Sequence, residues 1–557
     1  MSNNKKALAI VLGFVALAAL LAGCAAAEEK ATPTAAAKTP GVGTPTTVAA
    51  KAEPKRGGML NIYMADPSVL DPQRGTAGNA HYNIVGLRLI GPNYGPGTAY
   101  TDMESAPELA ESWEMSTDGL TYTFHLRQGV KWQDKPPVNG REVVASDVKF
   151  TFDRIFRVAK AMYGFMLGSV TSIEAPDKYT IVFTLAKPYY DFTAAIANYP
   201  FVILPPECEE KIAGGFDKVE ATIGAGPFML ESYQPNVKAV FKRNPTYFRS
   251  PMPYLDGVNA INVADTSTRQ AALRSGNLDI VGVDATSLQI FEKTDPDLQV
   301  REAAPTAGWA IAMRTDQPPF NDVRVRQAVA LAINRQEMVD RIFLGHGVID
   351  NGVLNAAMTL WKLPTNQLGE GAKYYGYDLK EAKRLLTEAG YPNGFKTQFT
   401  YYPTLGTSTI EAIELFVDYL AKISIDVTMR PIESGAWLAT VASGGKYEGM
   451  AYSGEWVTPC AGLKIEGWYG PTQLTNISHV NDPKMNELMA RAADCITFEC
   501  RKKVLDEFQR YDSVMLYRIT CPTSNGISLV QPWVKDYQSK AYGWSGRVYE
   551  YIWLDKK

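Results

Sequence analysis

Four histidines and six cysteines in 557 residues leave little for metal or nucleophile chemistry. The histidines (His81, His125, His346, His479) are scattered and no Cys-x-x-Cys pair occurs, so the ligand spacing of a zinc site is missing. An excess of one charge is missing too. With 56 basic against 59 acidic residues and no basic block beyond the first residues, the chain has no nucleic-acid-binding footprint. No Gly-x-Ser-x-Gly elbow is found, and Gly444-Gly445-Lys446-Tyr447 lacks both the spaced first glycine and the Ser or Thr of a phosphate loop. Paired acids such as Glu209-Glu210 suit a solvated face. Nothing here points to an enzyme, and no cofactor or bound metal is expected.

Strongly apolar runs are confined to one place. Lys5 and Lys6 precede an apolar stretch from Ala7 to Leu20, which ends in Leu21-Ala22-Gly23-Cys24. The stretch is short for a bilayer span and fits a secretory signal. Its last four residues resemble a lipobox, which implies cleavage before Cys24 and lipidation of that thiol. Two or more acyl chains make a stable anchor. The expected location is therefore extracytoplasmic, in the periplasm or at the cell surface, held to the membrane by lipidated Cys24. Residues 25–56 contain no aromatic residue to seed a core and are expected to be a flexible tether. Roughly 500 residues remain, more than a single core supports, so two or three lobes are expected.

In an oxidising compartment, Cys208, Cys460, Cys495, Cys500 and Cys521 allow at most two disulfides. Cys495 and Cys500 lie in a helical-looking stretch and can pair directly only if the helix breaks between them. Aromatic residues make up 11% of the chain, with 29 Tyr and 10 Trp, enough to serve a core and also to line a polar-aromatic pocket.

Along the chain, Met59-Leu60-Asn61-Ile62-Tyr63 reads as a strand opened by Gly57-Gly58, and Leu70-Asp71-Pro72-Gln73 as a turn. Asp118-Gly119 between alternating apolar residues predicts a hairpin, with Tyr122, Phe124 and Leu126 on one face and Thr121, Thr123 and His125 on the other. A helix capped at Ser146 follows. Val323, Ala328, Val329 and Ile333 fall near helical spacing, with Arg324 and Arg326 expected to turn outward. Ala382, Leu385, Leu386 and Ala389 repeat the pattern, and Gly390 is the expected C-cap. Strands and helices alternate irregularly, which predicts a mixed α/β protein.

These segments carry a resemblance. Arg56-Gly57-Gly58-Met59-Leu60, Leu70-Asp71-Pro72, Pro107 to Trp113, Asp118 to Arg127, Gly224-Ala225-Gly226-Pro227-Phe228 and Arg243-Asn244-Pro245 occur in that order. Ala272 to Asp279, Pro319 to Ala328 and Tyr377-Asp378 through Pro392 follow them. Together they resemble the peptide/nickel/oligosaccharide class (family 5) of extracytoplasmic solute-binding proteins, the receptors of ABC importers. The resemblance implies a periplasmic-binding-protein-like α/β fold (type II, class C). It implies three lobes: lobe I from 57–95, 225–308 and 518–557, lobe II as an insertion at 96–224, and lobe III at 309–517, after the signal at 1–24 and the tether at 25–56. The ligand cleft would lie between lobes I and III, with hinge crossings near Ala303 to Ala312 and near Leu516 to Cys521.

The site is expected from the same resemblance. In peptide-binding members an aromatic residue, two further residues and an aspartate follow a strand of lobe III, and the carboxylate takes the peptide's ammonium. Tyr452-Ser453-Gly454-Glu455 matches that stretch with Glu in place of Asp, and Trp456 follows. A carboxylate in a closed cleft keeps a strong charge-assisted bond to an ammonium. Where dipeptide binders offer an arginine, this chain has Tyr401-Tyr402-Pro403, residues suited to stacking on sugar rings, to bonding along a longer peptide or simply to packing at a strand end. Thr76 matches a contact from lobe I. The expected protein is a monomeric receptor that takes an oligopeptide or similar small polar ligand and docks on the transmembrane permease subunits of an ABC importer. The alternatives are an oligosaccharide or metal-chelate receptor of the same fold, a chemosensory adaptor, and an extracellular hydrolase, which the missing motifs disfavour.

Overall fold

Three sheets dominate the architecture. A computed structural model of the protein describes residues 53–67, 69–74, 80–158, 160–349, 352–538, 541 and 546–556. The signal, the lipobox with Cys24, most of the tether and Thr76 lie outside the described residues.

The largest sheet has seven strands in the order Gln299–Ala303, Gly526–Val530, Ile280–Val283, Met59–Tyr63, Gly257–Ile261, Lys238–Arg243 and Phe228–Gln234. Met59–Tyr63 runs parallel to both its neighbours, and the other pairs are antiparallel. Helices Thr266–Arg274 and Ala285–Thr294 begin at Asp265 and Asp284, whose carboxylates accept the N–H groups of Thr268 and Ser287. Leu273, Leu288 and Phe291 from these helices bury Val281, Ile527 and Leu529.

A four-stranded antiparallel sheet orders Ala110–Met115, Thr121–Leu126, Thr180–Leu185 and Val170–Glu174. The hairpin forms as expected: Met115 pairs with Tyr122, and Tyr122, Phe124 and Leu126 are buried while their neighbours are not. The adjoining helix, Ala145–Val158, starts one residue before the expected Ser146 cap. Asp147 closes that end instead, its carboxylate accepting the Val144 N–H at 3.0 Å, the reach-back half of a capping box. Val148, Phe152 and Ile155 form its buried stripe, and its Arg154 meets Asp71 of the Leu70-Asp71-Pro72 turn at 2.6 Å.

The third sheet has five strands in the order Ile425–Pro431, Phe395–Tyr401, Met450–Trp456, Ala307–Met313 and Arg518–Thr520. The chain enters it from the seven-stranded sheet between Ala303 and Ala307 and returns between Thr520 and Gly526. Helix Val323–Ala332 packs here, but Arg326 does not turn outward. It is 2% exposed and donates to the carbonyls of Phe320, Asn321 and Met515, because this helix is buried almost all round. Arg324 stays half-exposed beside Asp322. Helix Leu379–Glu388 ends as expected: Gly390, at φ +92°, donates to Thr387 O, and Tyr391 donates to Leu386 O, the two bonds of a Schellman motif.

Cys495 and Cys500 are disulfide-bonded. The helix does break between them: Pro483–Asp494 stops at extended Cys495, and Phe498–Met515 restarts at Thr497, whose side chain accepts the Cys500 N–H. Cys208, Cys460 and Cys521 are buried. Among the described residues no helix is long and apolar enough to cross a membrane.

Candidate ligand-binding site

The pleat of the five-stranded sheet sorts the expected site residues onto two faces. Successive side chains alternate, so Tyr452 shares a face with its cross-strand partner Ile311 and with Trp309. Ser453 and Glu455 share the other face with Ala310 and Gly308, and so does Arg518, opposite Ala312. Tyr452 and Glu455 therefore leave the strand in opposite directions.

On the first face four aromatic rings gather. Trp309 stacks on Tyr452 with ring centres 6.3 Å apart, and Tyr402 meets Tyr452 edge-on at 5.6 Å. Trp437 lies 4.8 Å from Tyr402 and 6.2 Å from Tyr452. Burial pushes the Tyr402 and Tyr452 phenols up. Trp309 Nε1 donates to Pro522 O at 3.1 Å, whereas Trp437 Nε1 is buried with no hydrogen-bond partner. Trp437 is positioned locally. The Ile432 N–H holds the chain to Tyr401 O at the end of the sheet, and the Glu433 carboxylate caps the short helix Ser434–Trp437, which runs on into a π-helical turn, Leu438–Ala442. Such turns recur at functional sites. Tyr401 and Tyr402 both pack partly on the core of this sheet, and Tyr402 alone joins the ring cluster.

On the second face four charges are enclosed. Glu455 Oε1 accepts from Arg518 Nη2 at 2.8 Å, and Lys464 Nζ lies 3.3 Å from Oε2. The three side chains are 3%, 2% and 0% exposed. Arg518 also donates to Ser453 Oγ and, like Lys464, lies over the Trp468 ring, at 4.1 and 4.5 Å. Small residues opposite them, Gly308, Ala310, Ala312 and Ala451, leave the room these groups occupy. Desolvation governs the ionisation: it raises Glu455 against the pull of Arg518 and Lys464, lowers Lys464 to about 8, and lifts the neighbouring Asp512 to about 7. Arg518 Nε and Nη1 and Asp512 Oδ1 are buried without hydrogen-bond partners.

Both oxygens of Glu455 are thus engaged inside the protein. Trp456 contributes its backbone to the pairing with Ala307, and its side chain is outside the described part. Among the described residues no group of three or more His, Cys, Asp or Glu side chains is placed to hold a metal. Sequence reasoning missed Trp437, Lys464 and Arg518. Arg518 is remote from Glu455 in the chain and comes beside it only through the shared strand Ala307–Met313.

The geometry has counterparts in known proteins. Residues 104–459 match the family model described as bacterial extracellular solute-binding proteins, family 5 middle region. Heme-binding protein A of Haemophilus influenzae is 29% identical over 496 residues, covering 84% of this chain and 87% of that protein. The glutathione-binding protein GsiB of Escherichia coli K12 is 28% identical over 406 residues, covering 70% of this chain and 75% of its own length. Among solved structures, the periplasmic binding protein DppA of Helicobacter pylori in complex with the peptide STSA superposes with a TM-score of 0.73 at 28% identity, covering 90% of this chain and 99% of that one. The α/β fold, with two mixed sheets and one antiparallel sheet, is that of the periplasmic binding proteins, and the chain belongs to the bacterial extracellular solute-binding proteins of family 5.

Proposed function

We propose that this protein captures an oligopeptide or similar polar organic solute outside the cytoplasmic membrane and delivers it to the permease of an ABC importer. The observation that carries the ligand class is the ring cluster of Tyr402, Tyr452 and Trp437, with a buried indole N–H that has no acceptor. A peptide carbonyl suits that donor, and the rings suit the flat peptide unit. Relatives known to take heme, glutathione and a tetrapeptide support a solute of this size.

The same proposal divides the protein into three lobes. Lobe I is built on the seven-stranded sheet, lobe II, at 96–224, on the four-stranded sheet, and lobe III on the five-stranded sheet. Strand Arg518–Thr520 pairs within the five-stranded sheet beside the proposed end of lobe III at 517. The two chain crossings support closure by rotation of lobe III against lobe I. Lipidation at Cys24 anchors the receptor, and Cys24→Ser is expected to move it to the soluble fraction.

Native mass spectrometry of a soluble form starting near Gly57 tests the ligand class. Adducts spaced by amino-acid residue masses are expected, and Trp437→Phe, which keeps a ring but removes the donor, should cost on the order of 1 kcal/mol of affinity for the recovered peptide. Adducts spaced by hexose units would instead identify an oligosaccharide receptor. Turnover of a fluorogenic peptide would overturn the transport role.

A further inference from the structure

Asp191, in the segment 96–224, is 1% exposed although it lies outside any strand. Its Oδ2 accepts from Arg501 Nη2 at 2.7 Å and from the Gly462 N–H at 3.1 Å. Arg501, on helix Phe498–Met515, gives its other terminal nitrogen to Ala492 O, and its guanidinium lies 5.4 Å from the Tyr190 ring. Around the pair, Cys460 and Leu463 join the apolar core of the four-stranded sheet, and Tyr190 meets Trp361 edge-on at 5.6 Å. The fit is tight. A β-carbon at Gly462 would stand 1.9 Å from Arg501 Nη2 and 2.8 Å from Asp191 Oδ2.

Gly462 lies in the first turn of helix Ala461–Tyr469, and two residues further on Lys464 reaches Glu455 Oε2. One short helix therefore touches the ion pair between the two sheet regions at one point and the buried charges of the candidate site at the next.

We propose that Asp191 and Arg501 are positioning residues that latch the four-stranded region onto the helices of the five-stranded region, with helix Ala461–Tyr469 linking the latch to Glu455. The inference rests on the proposed closure of lobes. Its physical basis is the balance of a buried ion pair. Desolvating both partners costs about as much as their attraction returns, so the intact pair is a reversible contact. Removing one partner leaves the other charge buried and uncompensated, which penalises the closed form alone. Replacing both by apolar side chains removes the penalty as well as the attraction.

The test is the distance distribution between spin labels introduced by Glu114→Cys and Glu487→Cys, two exposed positions on the two regions. It is measured by pulsed electron resonance in otherwise wild-type protein, in Asp191→Ala, in Arg501→Met and in Asp191→Leu/Arg501→Met. The wild type is expected to show a short and a long distance. Either single variant should lower the short-to-long ratio about 100-fold or more, and the double variant should return it to within about tenfold of wild type. If Asp191→Ala does not fold, Asp191→Asn keeps the shape and removes the charge. A wild-type ratio that persists in the single variants overturns the latch while leaving lobe motion in place, and so does a wild type with only the long distance. A single short distance in every protein overturns lobe closure itself.

Discussion

The two faces of the five-stranded sheet solve different problems with the same strands. Toward Tyr452, Trp309 and Ile311 the sheet packs apolar and aromatic side chains, with the buried indole N–H of Trp437 at its edge. Toward Glu455 and Arg518 it carries ionised groups at full burial, held by one another and by Lys464. The aromatic face tolerates a missing hydrogen bond because its stability comes from area removed from water. The charged face has no such reserve, since each group is stable only while its partners are present.

The largest expected effect breaks that mutual dependence. Glu455→Gln leaves Arg518 and Lys464 buried without their carboxylate and is expected to cost about 3–5 kcal/mol of folding stability, read from urea unfolding. A loss under about 1 kcal/mol would mean that the cluster is not held by charge. The next sharpens the comparison with a buried histidine packed against the seven-stranded sheet. His81, packed edge-on against Tyr233 and Phe241, is lowered to about 4 by desolvation, with Asp66 pulling weakly the other way. In the unfolded chain it titrates near 6.5, so between about 6.5 and 4 the unfolded state binds the extra proton. Stability is then lost as pH falls through that window, by about 3 kcal/mol in all. His81→Gln should flatten the slope, and an unchanged slope would assign the loss to other groups. The smallest effect belongs to the aromatic face: Tyr452→Phe keeps the ring contacts with Trp309 and Tyr402, removes only the buried hydroxyl, and is expected to cost about 1 kcal/mol or less by thermal unfolding.

Short-range features were legible in the sequence. The Asp118-Gly119 hairpin, the Gly390 cap and the α/β class follow from residues within a few positions of one another. Arg326 was misplaced because an arginine on a helix reads as solvent-facing, and its partners, the Phe320, Asn321 and Met515 carbonyls, leave no mark on side-chain pattern. The disulfide depended on a helix break that Thr497 marks only as a cap. The candidate site was harder for a similar reason. A strand pattern sends Tyr452 and Glu455 to opposite faces, but it does not say that Arg518, far along the chain, pairs opposite Ala312 and closes on Glu455.

The seven-stranded sheet carries a consequence for how the chain is made. Strand Gly526–Val530 lies between Ile280–Val283 and Gln299–Ala303, so both of those edges wait for it after they have left the ribosome. At the usual 5–20 residues per second, the interval between Ala303 and Val530 lasts on the order of 10–50 s. Throughout it the sheet is missing an inner member and cannot lock. For a protein of an extracytoplasmic family, a keystone strand placed so far along the chain from its neighbours keeps that sheet open until Gly526–Val530 has been made.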